Sequence, residues 1–292
     1  MSATDSTTSS RPVSERTSEV RVETRDLLLV ASPLEGANEA VPRAGESHAV
    51  PALLVFVKAP RPGTAKTRLT PGLTGDEAAE IARRMVSDAL ALAYGVAATL
   101  EAQVVVAFTP ADGWSDIEPL LGSAGKRAVV ALPQRGSDLG ERMANALDDA
   151  AERGLRPAVV IGTDCPTIPL HALRDAFSAL ENDIADVVLG PTDDGGYYLV
   201  GVREPVRGLF ENVRWSTGSV MAETVANARR LGLRVDVGLL RTYDIDTPAD
   251  LSRFQADLAA DPTLAARAPA TAEWLRRNPS ATVSASGADE YR

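Results

Sequence analysis

From about residue 52 to residue 260, short apolar runs alternate with longer stretches whose apolar positions recur every three or four residues. The runs near 52–58, 103–109, 128–132, 157–162, 185–190 and 197–202 have strand length and are rich in Val, Ile and Leu. The stretches near 75–94, 114–122, 138–153, 169–181, 217–231 and 248–260 carry the 3.6-residue period of helices that bury one face. Strand and helix in alternation predict an α/β fold, a three-layer α/β/α sandwich on a mostly parallel sheet. The last two strands are separated only by a few residues around Asp193-Asp194-Gly195-Gly196, too short for a helical crossover, so they are expected to be antiparallel and the sheet mixed.

Local signals fix several helix starts. Thr74 and Glu77 form a capping-box pattern ahead of an Ala-rich helix, and Thr247 with Pro248 and Asp250 places a cap and an N1 proline ahead of another. Thr167 or Pro169 opens the helix that carries Leu170 and Leu173. Outside the alternating region the pattern fades. Residues 1–50 are rich in Ser, Thr, Glu and Arg and poor in aromatics, a mixture that buries too little apolar area to offset the entropy of ordering; a disordered tail is expected there, with Leu27–Val30 unassigned. One domain is expected over 51–261, followed over 262–292 by a short helix anchored by Trp274 and Leu275 and then a flexible end.

Composition narrows the function. The chain has 292 residues and 45% hydrophobic content, enough for one large domain. Its 40 acidic and 30 basic residues give a net charge of -10 without a dense basic run, which argues against binding DNA or RNA. No stretch has membrane-span length and the first residues lack a signal-peptide pattern, so a cytoplasmic location is expected. Cys165 is the one cysteine, which rules out an internal disulfide, and the histidines, His48 and His171, lie too far apart in sequence to suggest a His-based triad or zinc site.

The densest chemistry lies in VFVKAPRPGTAKTRLTP, residues 55–71. An apolar strand stops at a loop containing Pro60, Pro62, Gly63 and Thr64 and then presents Lys66 and Arg68, the layout of a loop that grips phosphates between a strand and a helix. A surface turn with solubilising cations has the same composition. A P-loop is discounted, because Ala65 precedes the lysine where that turn needs Gly and two prolines remove amide donors.

Carboxylates cluster at strand ends: Asp164 after an apolar strand, Asp193 and Asp194 before Gly195 and Gly196, and Asp244 with Asp246. A polyphosphate site short of Lys and Arg commonly recruits Mg²⁺ or Mn²⁺ on oxygen ligands, and Asp164 and Asp246 are the metal candidates. Each has a plain alternative as a turn or cap residue. Asp194, with Asp193 second, is the candidate to contact or deprotonate an acceptor hydroxyl, against the equal alternative that DDGG is only a hairpin turn. Arg142 could reach a phosphate or carboxylate from the first turns of its helix, although exposed arginines there are usually solvated. Trp215, Ser216 and Thr217 read as a packed indole and a helix cap, and Cys165 as packing.

Taken together, KAPRPGTAKTRL, QRGSDLGERM, IGTDCPTIP, GPTDDGGYYLVG, VRWSTGSV and DIDTPADL resemble, in order, the motif set of a bacterial domain-of-unknown-function family also called radical-SAM/selenodomain-associated transferase 1. That glycosyltransferase-like group is similar in turn to the nucleotide-diphospho-sugar transferase superfamily, which includes GT-A glycosyltransferases and guanylyl- and cytidylyltransferases. The resemblance implies a GT-A type fold and a metal-assisted transferase that takes a nucleotide or nucleotide-sugar donor and a small-molecule acceptor. Glycosyl transfer is expected first, nucleotidyl transfer with release of pyrophosphate is the alternative, and a non-catalytic nucleotide sensor is the second. It places phosphate binding on Lys66 and Arg68 with Pro62, Gly63 and Thr64, adds Gly195 and Gly196 to the ligand contacts, and places Mg²⁺ or Mn²⁺ on Asp164 and Asp246. The sequence departs from the DxD metal motif of GT-A enzymes, since Pro166 holds the third position.

Overall fold

A computed structural model describes residues 49–70, 72–122 and 129–279. The expectations for residues 1–48, including His48, and for 280–292 lie outside the described residues. A seven-stranded sheet in the order β3-β2-β1-β4-β6-β5-β7 forms the middle layer. Its strands are β1 (Val50–Lys58), β2 (Gln103–Thr109), β3 (Val129–Pro133), β4 (Leu155–Ile161), β5 (Val187–Pro191), β6 (Tyr197–Val202) and β7 (Val235–Asp236). β1 pairs in parallel with both β2 and β4, and β2 with β3. β6 runs antiparallel to β4 and to β5, so the sheet is mixed as the short DDGG connection required.

The α-helices are α1 (Gly75–Leu100), α2 (Trp114–Ile117), α3 (Leu139–Ala151), α4 (Leu170–Glu181), α5 (Val220–Arg230), α6 (Pro248–Ala260), α7 (Leu264–Arg267) and α8 (Pro269–Arg277). The central strands read as continuous apolar runs because both faces are covered. Leu53, Val55 and Val57 of β1 pack with Val86 and Leu90 of α1 and Phe177 of α4 on one face, while Leu54 packs with Met143 and Leu147 of α3 on the other. Both capping boxes form: Thr74 with Glu77 on α1, and Thr247 with Asp250 on α6.

Several boundaries differ from the sequence reading: the helix expected over 114–122 is α2 followed by a 3-10 turn over Glu118–Leu121, and one strand, β7, was not expected at all. α1 runs to Leu100 rather than 94, since Ala and Leu continue its period. The helix expected from 217 starts at Val220, because Ser216 takes a left-handed backbone with φ 62° and holds the preceding segment as a loop. β7 has two residues, too few for any periodicity to show. The segment beyond Asp261 forms α7 and α8, and α8 docks firmly: Trp274 and Leu275 are buried in a third apolar cluster with Phe254 of α6, Ile81 and Met85 of α1, and Leu69, Leu73 and Ile245. Asp88 of α1, itself buried, accepts from the backbone N–H groups of Ala270 and Thr271 and from the Thr271 hydroxyl, capping α8 from outside its own sequence.

Candidate active site

The carboxyl ends of β1, β2 and β4 and the beginning of β6 meet at one edge of the sheet, and a cleft of about 480 Å³ opens there. Parallel strands bring their carboxyl ends to the same side, and the antiparallel β6 brings its first residues, Tyr197 and Tyr198, to that side too.

The loop after β1 forms one wall. Ala59 N–H donates to the Thr109 carbonyl, and Arg61 is fixed away from the cleft by Asp116 at 2.6 Å and Asp112 at 3.1 Å. Thr64 and Ala65 donate their backbone N–H groups to the Arg61 carbonyl, a turn that Gly63 completes at φ 73°. A methyl group at Gly63 would meet nothing within 4 Å, so glycine serves the backbone angle there rather than a close approach. Pro62 and Gly63 shape the loop without lining the cleft; Thr64, Lys66 and Arg68 line it. Lys66 itself is left-handed at φ 48°, ψ 39°, a conformation that costs a non-glycine residue about 1 kcal/mol. Below it, Leu69 and Leu73 enter the apolar cluster that holds Trp274.

The backbone reversal aims the Lys66 ammonium at two carboxylates. Its Nζ lies 2.5 Å from Asp164 Oδ1 and 2.8 Å from Asp246 Oδ1, and donates to the Ile245 carbonyl at 2.7 Å. Burial alone would push the Lys66 pKa down, but Asp164 and Asp246 outweigh it and hold it above the ordinary lysine value. Arg68 is mostly exposed, with one nitrogen 3.5 Å from Asp246. The four residues expected to share a site, Lys66, Arg68, Asp164 and Asp246, therefore do so, although 180 positions separate Lys66 from Asp246.

Asp164 follows β4 directly, and its carbonyl accepts from Ile245 N–H, which brings the Asp244–Asp246 segment alongside. Asp246 precedes the α6 cap: Thr247 caps the helix, as the helix-start reading of Asp246-Thr247-Pro248 expects, while the Asp246 side chain lines the cleft. Between them lies Asp244, which sequence reasoning placed in the cluster without a role. It accepts from the Cys165 thiol at 2.8 Å. Burial, with further help from Asp164 and Asp246, pushes its carboxyl up to about 7, against the opposing pull of the thiol and Lys66. Burial first, then Asp244, pushes the Cys165 thiol well above its usual range, which makes it an inert packing group.

The hairpin residues are placed otherwise. Asp194 Oδ1 accepts from the Thr192 hydroxyl at 2.6 Å and from Gly196 N–H at 3.0 Å, closing its own turn. Asp193 is paired with Arg253 of α6 at 2.8 Å. Gly195, at φ 88°, abuts Gly218 so closely that a Cβ would lie 2.2 Å from the Gly218 carbonyl oxygen. None of Asp193, Asp194, Gly195 and Gly196 lines the cleft, and their bonds are those of a hairpin turn. The cleft does include Lys58, Gln134, Leu139 and Arg142, of which only Arg142 stood out in the sequence as a candidate. Lys58 lies three residues past Val55 on β1, and strand alternation, which puts it on the same face as Leu54, was the signal available.

The comparisons with known proteins agree with this architecture. A protein from Desulfovibrio desulfuricans G20, described provisionally as a nucleotide-diphospho-sugar transferase, is 33% identical, with 80% of this chain and 96% of that one covered and a TM-score of 0.68. The chain belongs to the nucleotide-diphospho-sugar transferase family. Residues 92–217 match the family described as "Uncharacterized protein conserved in bacteria (DUF2064)", the group that the ordered motifs resembled. A phosphoenolpyruvate guanylyltransferase from Sphaerobacter thermophilus is 27% identical over 202 residues, which span 69% of this chain and 91% of that protein. The protein is a transferase with a mixed α/β sandwich, as its relatives are. No helix among the described residues is long and apolar enough to cross a membrane.

Proposed function

We propose that the protein is a nucleotidyltransferase: it binds a nucleoside triphosphate over the loop 59–70 and transfers the nucleotidyl group to a small acceptor, releasing pyrophosphate. The observation that carries this reading is the meeting of Lys66, Arg68, Asp164 and Asp246 at one cleft. Glycosyl transfer uses a similar phosphate site. The nucleotidyl reading is favoured because the guanylyltransferase relative matches over 91% of its own length.

The donor set fits a divalent ion. Asp164 and Asp246 each bring an oxygen within 2.8 Å of one point, the Lys66 nitrogen, and both side chains keep an exposed side. Among the described residues no group of three or more His, Cys, Asp and Glu is arranged for a metal. Two carboxylates suit Mg²⁺ or Mn²⁺, which complete their coordination with water and substrate phosphates. Such an ion, when bound, would supply charge neutralisation at the phosphates.

The remaining work falls to the chain. An acceptor oxygen forms a bond to the α-phosphorus, the bond to the bridging oxygen breaks, and pyrophosphate leaves with that electron pair. Arg68, mostly exposed, faces the arriving phosphates. All three Lys66 N–H donors are already used, on Asp164, Asp246 and the Ile245 carbonyl, so a phosphate oxygen contacts Lys66 by replacing one of them. A charge-assisted bond of this kind contributes about 1.5–3 kcal/mol, and it counts toward rate to the extent that it tightens as charge shifts to the leaving group.

Product analysis tests the reading. Incubated with nucleoside triphosphates, Mg²⁺ and a set of small acceptors, the protein should release pyrophosphate. Release of a nucleoside diphosphate from a sugar nucleotide would instead establish glycosyl transfer, and tight nucleotide binding without turnover would establish a sensor.

A further inference from the structure

The two halves of α1 meet solvent differently. Its first turn exposes Asp76 and Glu77, just as α4 exposes His171, Arg174, Asp175 and Glu181 and α5 exposes Arg229 and Arg230. From Met85 to Leu100 the single charged residue is Asp88, which is buried, although 24% of the chain is charged. What this half exposes is Ala91, Gly95, Ala98 and Thr99. Along its outer side Arg84, Ser87, Ala91, Tyr94, Ala98 and the C-cap residue Glu101 follow one another at spacings of three and four, the rhythm of a helix that packs along another helix. The inner contacts of α1 use other positions: Val86, Leu90 and Ala93 join the cluster on β1, and Ile81 and Met85 meet the cluster that holds α8. Beside the seam stands Leu170 at the start of α4, 37% exposed although apolar, with its Cδ1 3.9 Å from where a Cβ on Gly95 would be. None of the six seam residues lines the nucleotide cleft.

We infer that a second copy of this chain docks on the outer face of α1, with the two α1 helices antiparallel across a two-fold axis. Charge selects that occupant and that direction. One end of the seam carries Arg84, 42% exposed and shared with Glu80, and the other carries Glu101, which forms no ion pair among the described residues. Positions 84 and 101 have the same midpoint as 87 and 98 and as 91 and 94. An axis at that midpoint sets Arg84 against Glu101 of the second copy, Ser87 against Ala98 and Ala91 against Tyr94, so one surface is complementary to itself. A parallel pair would set Arg84 on Arg84 and Glu101 on Glu101. Alanine and serine let the two helix axes approach closely, and the antiparallel direction brings opposite dipole ends together. The seam is about 25 Å long at 1.5 Å per residue, and with a Leu170 from each copy at its flanks it approaches the roughly 1,000 Å² at which a specific interface begins. An interface of that size gives a reversible dimer with a micromolar Kd, and it does not depend on the nucleotidyl reading.

The test is sedimentation velocity on the full chain from about 1 to about 200 µM, where the wild type should pass reversibly from monomer to dimer. Ala91→Arg places a long cation at an exposed position in the middle of the seam and should raise the dimer Kd at least about tenfold. Arg84→Glu and Glu101→Arg should each weaken the dimer about three- to tenfold, and the two together should recover most of the loss, a rescue that misfolding could not produce. Direction is read by cross-linking. Ser87→Cys combined with Ala98→Cys should form a disulfide between copies on mild oxidation, while either cysteine alone should not; within one helix the two positions stand about 16 Å apart, too far to bridge, and Cys165 is buried. A wild type that stays monomeric over the whole range, whether the face is bare or covered by residues outside the described ones, overturns the inference. So does a dimer indifferent to Ala91→Arg and to both charge reversals, or cross-linking by Ser87→Cys alone, which a parallel pair would give.

Discussion

Two loops of this protein look alike in sequence and behave differently in space. Residues 59–70 and 192–196 both come after a buried strand, both contain glycine at a left-handed angle, and both carry charged side chains at the same edge of the sheet. In the first, the charges point away from their own backbone: Lys66 reaches Asp164 and Asp246, residues far along the chain, while the loop is held from below by Leu69 and Leu73. In the second, the charges hold the turn itself: Asp194 bonds Thr192 and Gly196, and Asp193 fastens the turn to α6. A loop is free to offer its charges to a ligand when apolar anchors fix its shape; a loop without them spends those charges on staying folded.

That contrast can be broken at several points. Lys66→Ala should have the largest effect, lowering turnover at least about a hundredfold in a pyrophosphate-release assay, since it would remove the proposed charge-assisted phosphate contact and leave two carboxylates unscreened. Trp274→Ala, which opens a hole in the cluster under the first loop, should cost about 3 kcal/mol in urea unfolding and also weaken nucleotide binding. Gly195→Ala should cost about 2 kcal/mol through the collision with Gly218 and the strained angle, with little loss of nucleotide affinity per folded molecule. Asp194→Ala should cost about 1 kcal/mol and keep turnover within a few-fold of wild type. A turnover loss there as large as that of Lys66→Ala would collapse the distinction between the loops.

The smallest effect concerns pH. Burial holds the Asp88 carboxyl above its ordinary range, against the opposing pull of its bonds to Thr271 and Ala270. The folded protein therefore keeps a proton that the unfolded chain releases, and stability declines as pH rises from about 4, the unfolded value, through the raised native value. Asp88→Asn, which cannot ionise, should lose that slope in unfolding curves taken across pH 4–7.

The architecture was legible because each layer leaves its own period. β1, β2 and β4 are continuous apolar runs, α1, α3 and α4 carry one apolar face, and Thr74 and Thr247 mark helix starts by chemistry that acts within three residues. The Lys66, Arg68, Asp164 and Asp246 constellation was legible for a topological reason, since parallel strands deliver their trailing loops to one edge. The hidden part depends on direction rather than identity. The DDGG carboxylates had several directions open to them, and only the bonds from Thr192, Gly196 and Arg253 show where they go. Lys58 is one lysine among thirty basic residues until the strand register gives it a face. The docking of α8 depends on Asp88, which lies 183 positions from Thr271 and leaves no local trace.

The left-handed backbone at Lys66 has a consequence for any substitution there. Glycine or asparagine would sit there with less backbone strain, but neither would replace the ammonium that screens Asp164 from Asp246. Position 66 is a place where backbone ease and charge balance ask for different amino acids, and any replacement there trades one against the other.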